Sequence, residues 1–321
     1  MAEIKSVTVV APSRLHFGMF SFGVPNTRQF GGAGVMIDRP STTIRIEPAA
    51  KDECVGPHAG RLKQTLELVR ASAWSADVPT CKLMHVGSPR SHVGLGSGTQ
   101  TALAVVAGLR AFAGLPPLEA LELGEASGRA KRSSVGLHGF LHGGLIVEAG
   151  KLPPEKVAPL LAQTPLPEKW RFVLVCPRHK EGLSGESEKK AFATLPPVPA
   201  AITEQLRRIA LDQLVPAAKH ADFATFADGL YRFGLAAGQC FKSHQAGVYA
   251  TEQLARLVER VRDAGVRGVG QSSWGPTLFS LHPTPELAQR FVDDRGLWPD
   301  SYEYDFTIAR PSPSGAEIRV E

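Results

Sequence analysis

The sequence predicts an α+β protein in two domains, on three observations. The chain runs to 321 residues, beyond the size at which a single core usually keeps growing. Strand-like alternation is mixed with helical spacing in both halves, without a strict parallel rhythm. Between Lys151 and Lys169 the composition shifts, punctuated by Pro153, Pro154, Pro159, Pro165 and Pro167. The boundary falls within 165–175, giving an N-terminal domain over 1–168 and a C-terminal domain over 169–321.

In chain order, Ser6 to Ala11 reads as a strand that Pro12 ends, followed by an extended or turning stretch, Ser13 to Gly18. Val35 to Ile37 is a short strand after Gly31-Gly32-Ala33-Gly34. Thr42 to Glu47 alternates with period two, the mark of a half-buried strand. Leu62 to Ala73 is a helix with Leu62, Leu66 and Val69 on one stripe, and Cys81 to Val86 is a strand. A long helix runs from about Thr99 to Phe112, its apolar face carrying Ala102, Val105 or Val106, Leu109 and Phe112. Glu119 to Lys131 is a further helix, and Leu145 to Val147 a strand. In the second half, Phe172 to Cys176 is a buried strand. Helices follow over Ala200 to Leu214, Asp222 to Leu235 and Gly247 to Asp263. Val266 to Val269, Thr277 to Leu281 and Tyr304 to Ile308 are its late strands.

Composition narrows the function classes. Hydrophobic residues at 43% and charged residues at 21% are ordinary globular values. The formal charge of +5 suits anionic small substrates. Nucleic acid would call for a concentrated basic patch, yet the basic residues are scattered, the densest group being Arg129, Lys131 and Arg132. No signal peptide and no membrane span are indicated. The four cysteines show no CxxC spacing, so neither zinc nor a disulfide framework is expected, and a reducing cytoplasm is the natural setting. His138 and His142 are four apart, but Gly136, Gly139, Gly143 and Gly144 argue against a helix that would align them.

The segment with most chemical content is Pro89-Arg90-Ser91-His92-Val93-Gly94-Leu95-Gly96-Ser97-Gly98-Thr99-Gln100-Thr101, which leads into the long helix. Glycines let the backbone turn tightly and approach a ligand closely. The first N–H groups of the helix lack internal partners and, with the helix dipole, form a cradle for an anion. Ser97 and Thr99 add hydroxyls. A plain N-cap after a flexible turn is the bland alternative. The segment is not a P-loop, having no Lys-Ser/Thr pair after the glycines, nor a dinucleotide fingerprint, lacking the G-x-G-x-x-G spacing.

PRSHVGLGSGTQ resembles the phosphate-binding motif of the GHMP kinases, P-x-x-x-G-L-G-S-S-A. The resemblance implies a GHMP kinase-like two-domain fold, with a ribosomal-protein-like β–α N-terminal half and a ferredoxin-like C-terminal half. The chain departs from the kinase pattern at Ser97-Gly98, where kinases have Ser-Ser. It also lacks their catalytic aspartate: the matching stretch, Arg132 to Phe140, offers only His138 as a base.

One branch of the superfamily is more similar, the β-ribofuranosylaminobenzene 5'-phosphate synthases of methanopterin biosynthesis. Four stretches resemble it: Ser13 to Gly18, His92 to Gln100, Ser134-Val135-Gly136 with Gly143-Gly144, and Gly270-Gln271-Ser272-Ser273-Trp274-Gly275-Pro276-Thr277. The resemblance implies transfer of phosphoribosyl from 5-phosphoribosyl 1-diphosphate to 4-aminobenzoate or 4-hydroxybenzoate, with loss of diphosphate and carbon dioxide and formation of a carbon–carbon bond. Mg²⁺ is the implied cofactor, the partners are small molecules, and a homodimer is expected as the common state of soluble enzymes. An ATP-dependent small-molecule kinase is the alternative.

On this reading Arg14 clamps a phosphate or carboxylate, and His16 hydrogen-bonds a substrate oxygen, as the catalytic pair; each is otherwise a surface arginine or a satisfied histidine. Arg90, His92, Gly94, Gly96, Ser97, Gly98, Thr99 and Gln100 are substrate-binding candidates in the loop. Ser133, Ser134 and Gly136 line a neighbouring loop. Gln271, Ser272, Ser273 and Trp274 form a polar-aromatic turn whose ring stacks on the benzoate or packs the domain interface. Metal ligands are not evident; Asp38, the nearest acidic residue after the Gly31 to Gly34 loop, is the candidate to face magnesium.

Overall fold

The computed structural model of the protein describes residues 4–179, 182, 185–294 and 296–321. Its strands are β1 (Val7–Met19), β2 (Gly32–Pro48), β3 (Glu53–Val55), β4 (Cys81–Gly87), β5 (Leu145–Glu148), β6 (Leu160–Thr164), β7 (Arg171–Pro177), β8 (Val269–Gln271), β9 (Leu278–His282), β10 (Tyr304–Ala309) and β11 (Glu317–Val320). Its helices are α1 (Ala59–Arg70), α2 (Ser97–Phe112), α3 (Ala120–Ala126), α4 (Val135–His142), α5 (Gly185–Thr194), α6 (Ala200–Arg208), α7 (Val215–Lys219), α8 (Phe223–Gln239), α9 (Glu252–Asp263) and α10 (Pro285–Asp293). A π-helical turn, Ile209–Leu214, joins α6 to α7.

One sheet has the order β11-β1-β2-β4-β3, with β5 paired to β2 and β6 to β5. The other is antiparallel, β10-β7-β9-β8. Residues 317–320, which the sequence puts with the second half, hydrogen-bond in the first sheet, Val7 lying opposite Val320.

The core explains how the halves hold together. Val7, Val9 and Ala11 bury their side chains with Ile44 and Ile46 of β2 and Leu103, Val106 and Leu109 of α2. A register shift between Ala11 and Ser13 redirects β1. Its later residues, Leu15 and Phe17, join a different cluster with Phe172, Phe279 and Phe233 from the second half. One strand therefore feeds two cores. Apolar burial of this kind contributes about 1.5–3 kcal/mol per large side chain.

Several expectations need correction. Pro12 does not end β1, because it lies at the register shift, where a missing N–H costs no ladder bond. The Pro-punctuated stretch between Lys151 and Lys169, to which the sequence assigns no strand, contains β6, paired with β5 from Leu145↔Thr164 onward. The third late helix starts at Glu252, not Gly247, because Thr251 caps it by accepting from Leu254 N at 3.1 Å. Residues 135–142 are helical despite their glycines. A Cβ on Gly139 would stand 2.2 Å from Met36 Sδ, so glycine here permits close packing of α4 on β2 rather than breaking the helix.

Candidate active site

The loop before α2 is shaped by two glycines. Gly94 has φ +85°, and a Cβ there would stand 2.3 Å from the Ser272 carbonyl oxygen. Gly96, the N-cap, has φ +74°. The Gly96 carbonyl accepts from Thr99 and Gln100 N–H at 3.0 Å each. The N–H groups of Ser97 and Gly98, ahead of the first helical bonds, are left pointing out of the helix head.

Three guanidiniums converge on this head. Arg14 arrives from β1, its Nε 3.1 Å from where a Cβ on Gly96 would be. That Nε is fully occluded and has no hydrogen-bond partner. A Cβ on Gly98 would stand 2.8 Å from Arg61 Nη1 and 3.9 Å from Arg129 Nη2. Arg61 projects from α1 and holds His92 Nε2 at 3.3 Å. Neither Arg61 nor Arg129 has a carboxylate partner among the described residues. Burial pulls the Arg14 guanidinium down to about 10, opposed by Glu188 and Glu148; it stays charged at neutral pH. Burial, then the neighbouring Arg61, lowers Arg129 as well. Concentrated, unpaired positive charge at a helix N-terminus is a site for a polyanion.

These groups line a cleft of about 880 Å³ whose walls also carry His16, Lys131, Arg132, Ser133, Ser273 and Trp274. Among the described residues the only carboxylate in the lining is Glu188, on α5. It pairs with Arg132 at 2.5 Å and accepts from the Trp274 indole N–H at 3.1 Å. Arg132 also lies over the Phe192 ring, 4.7 Å from its centroid.

His16 is 3% exposed, and its Nε2 lies 3.0 Å from Ser133 Oγ. Burial and the Arg14 charge hold its imidazole well below the ordinary 6.5, so it is neutral at pH 7. Behind Ser133 sits Glu148, fully buried, which takes the Ser134 N–H at 2.7 Å. Burial raises its carboxyl to about 7, against the nearby Ser133 and Ser134 groups and Lys151.

The other expected residues have different surroundings. Arg90 is turned away from the cleft: its guanidinium reaches the carbonyls of Arg178 and Pro177 and fastens the loop to β7. Gln100 is 0% exposed and donates to the Gly136 carbonyl at 2.9 Å, so it braces α2 on α4. Gly136 packs on Thr99 Cγ2, and Ser134 Oγ accepts from Ala158 N at 3.0 Å. Ser272 Oγ donates to the Gly94 carbonyl at 2.7 Å and accepts from His16 N at 3.0 Å. It joins the two motifs without facing the cleft. Gln271 accepts from Ala250 N at 2.8 Å and lines a side pocket with Ser273 and Trp274. Asp38 is bound by Arg310, Nε to Oδ2 at 2.9 Å, away from the cleft. His138 Nε2 is satisfied by the Ala158 carbonyl at 2.8 Å. Arg61, Arg129 and Glu188 were not among the expected site residues: Arg61 lies outside any motif, Arg129 stood out only as part of the densest basic group, and α5 has too few apolar residues to announce a helix.

Residues 214–295 match the family described as GHMP kinases C terminal. Among characterised relatives, the chain is 28% identical over 296 residues to the β-ribofuranosylphenol 5'-phosphate synthase of Methanothermobacter thermautotrophicus, covering 84% of this chain and 87% of that one. It is 29% identical over 282 residues to the enzyme of the same name from Archaeoglobus fulgidus, covering 84% and 86%. Its fold is shared with homoserine kinase from Cytophaga hutchinsonii, at TM-score 0.67 and 15% identity over 99% of both chains. Mevalonate diphosphate decarboxylase from Staphylococcus aureus gives TM-score 0.68 and 15% identity over 98% of both. The kinship with the ribofuranosyl phosphate synthases and the GHMP kinase-like fold, both expected from the sequence, are borne out.

Proposed function

We propose that this chain is a β-ribofuranosylaminobenzene 5'-phosphate synthase-like enzyme of methanopterin biosynthesis, transferring phosphoribosyl from 5-phosphoribosyl 1-diphosphate to a para-substituted benzoate with decarboxylation. The observation that carries the reading is the convergence of Arg14, Arg61 and Arg129 on the free amides at the head of α2. A diphosphate is the ligand such charge suits, and relatives covering most of the chain are named as synthases of a ribofuranosylphenol 5'-phosphate. That name favours 4-hydroxybenzoate as the acceptor over 4-aminobenzoate.

In this reaction the ribose C1–O bond breaks and its electron pair leaves with the diphosphate. The ring carbon bearing the carboxylate attacks C1. The bond to the carboxylate then breaks, returning its pair to the ring as carbon dioxide departs. Charge grows on the leaving oxygens, where Arg14, Arg61, Arg129 and the Ser97 and Gly98 amides stabilise it. Neutral His16 accepts a hydrogen bond from the para hydroxyl, favouring electron release into the ring. Holding two substrates at one cleft contributes further.

The lining fits Mg²⁺ as an ion carried by the diphosphate: the Ser97 and Thr99 hydroxyls are oxygen donors, and Mg²⁺ takes few protein ligands beside substrate phosphates. When bound, it would neutralise leaving-group charge. A kinase reading is less favoured, because the one carboxylate that the described residues bring to the cleft, Glu188, is held by Arg132 and Trp274 rather than free to act as a base. We place the enzyme in the cytoplasm as a homodimer. Among the described residues no helix is long and apolar enough to cross a membrane, and light scattering would test the dimer.

The decisive assay offers phosphoribosyl diphosphate with each benzoate, then ATP with candidate alcohols. Diphosphate and carbon dioxide in equal amounts are expected; ADP with a phosphorylated alcohol instead would overturn the reading.

A further inference from the structure

Beside the basic cleft lies a second, narrow pocket between β1 and α8, sharing His16, Met19, Phe192, Ser273 and Trp274 with it. One wall is aromatic. Phe241 and Trp274 meet at 4.8 Å between centroids and Phe192 and Trp274 at 5.6 Å, both edge to face. The indole N–H is tied to Glu188, so the wall is fixed to the residue that bridges the basic cleft.

The opposite side is α8, and here two glycines one turn apart differ. Gly238 is required by packing, since a Cβ would stand 2.4 Å from the Val248 carbonyl oxygen. Gly234 is not, since a Cβ there would meet nothing within 4 Å. Its φ is not in the left-handed region. Glycine inside a helix weakens it relative to alanine, and nothing in the packing at 234 requires the exchange. What Gly234 provides is open space on the pocket side.

Resting on the transferase reading above, we infer that this side pocket receives the aromatic acceptor, and that Gly234 sets the room available to its ring. The pocket holds about 50 Å³, well short of the roughly 150 Å³ of a cavity that encloses benzene. A benzoate therefore enters by one edge. Its carboxylate-bearing carbon stays on the basic-cleft side of the shared mouth, facing the site where the ribose C1 would lie, and its para hydroxyl passes into the pocket, whose lining includes His16. The para substituent is the small, leading group. A polar, anionic end left in the basic cleft and an apolar ring against Trp274, Phe192 and Phe241 match the two surfaces.

The test is Gly234→Leu, assayed for turnover and, by calorimetry, for binding of 4-hydroxybenzoate and of the phosphoribosyl donor. The KM and Kd for the benzoate are expected to rise tenfold or more, with the donor's Kd changed less than twofold. Gly234→Ala is expected to keep or raise Tm and to raise the benzoate KM about threefold; it carries the test if Gly234→Leu does not fold. Turnover with an unchanged benzoate KM in the folded variants overturns the pocket assignment and leaves the transferase reading standing. Benzoate binding that Gly234→Leu abolishes, without turnover in the wild type, supports the pocket and refutes the transferase. A wild type that neither binds nor converts a benzoate overturns both.

Discussion

His16 Nε2 stands 3.0 Å from Ser133 Oγ, which ties the first strand to the head of α4. The same oxygen accepts from Val135 N–H at 3.2 Å, and the Glu148 carboxylate lies behind it. When the hydroxyl proton turns to Glu148, the remaining lone pair of Ser133 takes the His16 Nε2–H. That selects one tautomer and leaves Nδ1 as an acceptor.

Ser133→Ala releases the tautomer without touching the anion cradle. We expect kcat to fall tenfold or more while the KM for phosphoribosyl diphosphate stays within twofold, and Ser133→Thr to restore most of the loss. A parallel rise in that KM would show that Ser133 serves donor binding instead.

The cradle arginines make their own prediction. Charge-assisted hydrogen bonds contribute about 1.5–3 kcal/mol, so Arg61→Ala and Arg129→Ala should each weaken diphosphate binding tenfold or more. The salt dependence of binding should flatten in both, because fewer charges face the ligand. Calorimetry across a potassium chloride series reads both effects, and unchanged affinity in both variants would remove these residues from the site.

Arg14 is held with an occluded, unpartnered Nε, a cost that folding does not recover without a ligand. Arg14→Met keeps volume and removes that cost. Its Tm is expected to match or exceed that of the wild type in the absence of ligand, while donor affinity drops at least tenfold. A large fall in Tm would mark Arg14 as structural.

Glu148 gives a pH signature. Its carboxyl sits at about 7 in the folded protein against an ordinary 4.5, so between those values the folded state holds more protons than the unfolded one. Stability from this group is full below pH 4.5 and is lost as pH rises through 7, by about 3 kcal/mol. His16 works in the opposite direction: held neutral in the fold, it favours the unfolded state as pH falls below 6.5. The difference between the wild-type and Glu148→Gln denaturation profiles isolates the carboxylate. That difference should grow in favour of the variant from pH 5 to pH 8, and a flat difference would contradict the burial argument.

Much of the frame was legible in the sequence, because local physics decides it. The alternation of Thr42 to Glu47 marked a strand that lies within β2, and the helical stripe from Ala102 to Phe112 is buried as expected. The glycines of the loop announced tight turns, and Gly94 and Gly96 do take positive φ. The α4 helix was hidden because glycine spacing reads the same whether it breaks a helix or lets one pack closely. Only the contact of Gly139 with Met36 separates the two. Pro12 misled for a related reason, since whether a proline ends a strand depends on whether its partner strand has a bonded or a shifted register there.

By itself, then, the chain order determined where a loop gives way to a helix with free amides at its head, and raised the expectation of an anion there. Tertiary structure decided which side chains line the cleft at that head. Arg14 stood out through the Ser13 to Gly18 stretch, but Arg61 on α1 and Arg129 after α3 are far from it in sequence and carry no local pattern, and charge has no periodicity from which a meeting point can be read. Their convergence, and the turning away of Arg90 toward β7, follow from how the sheet and its helices stack, which is settled by burial over the whole chain.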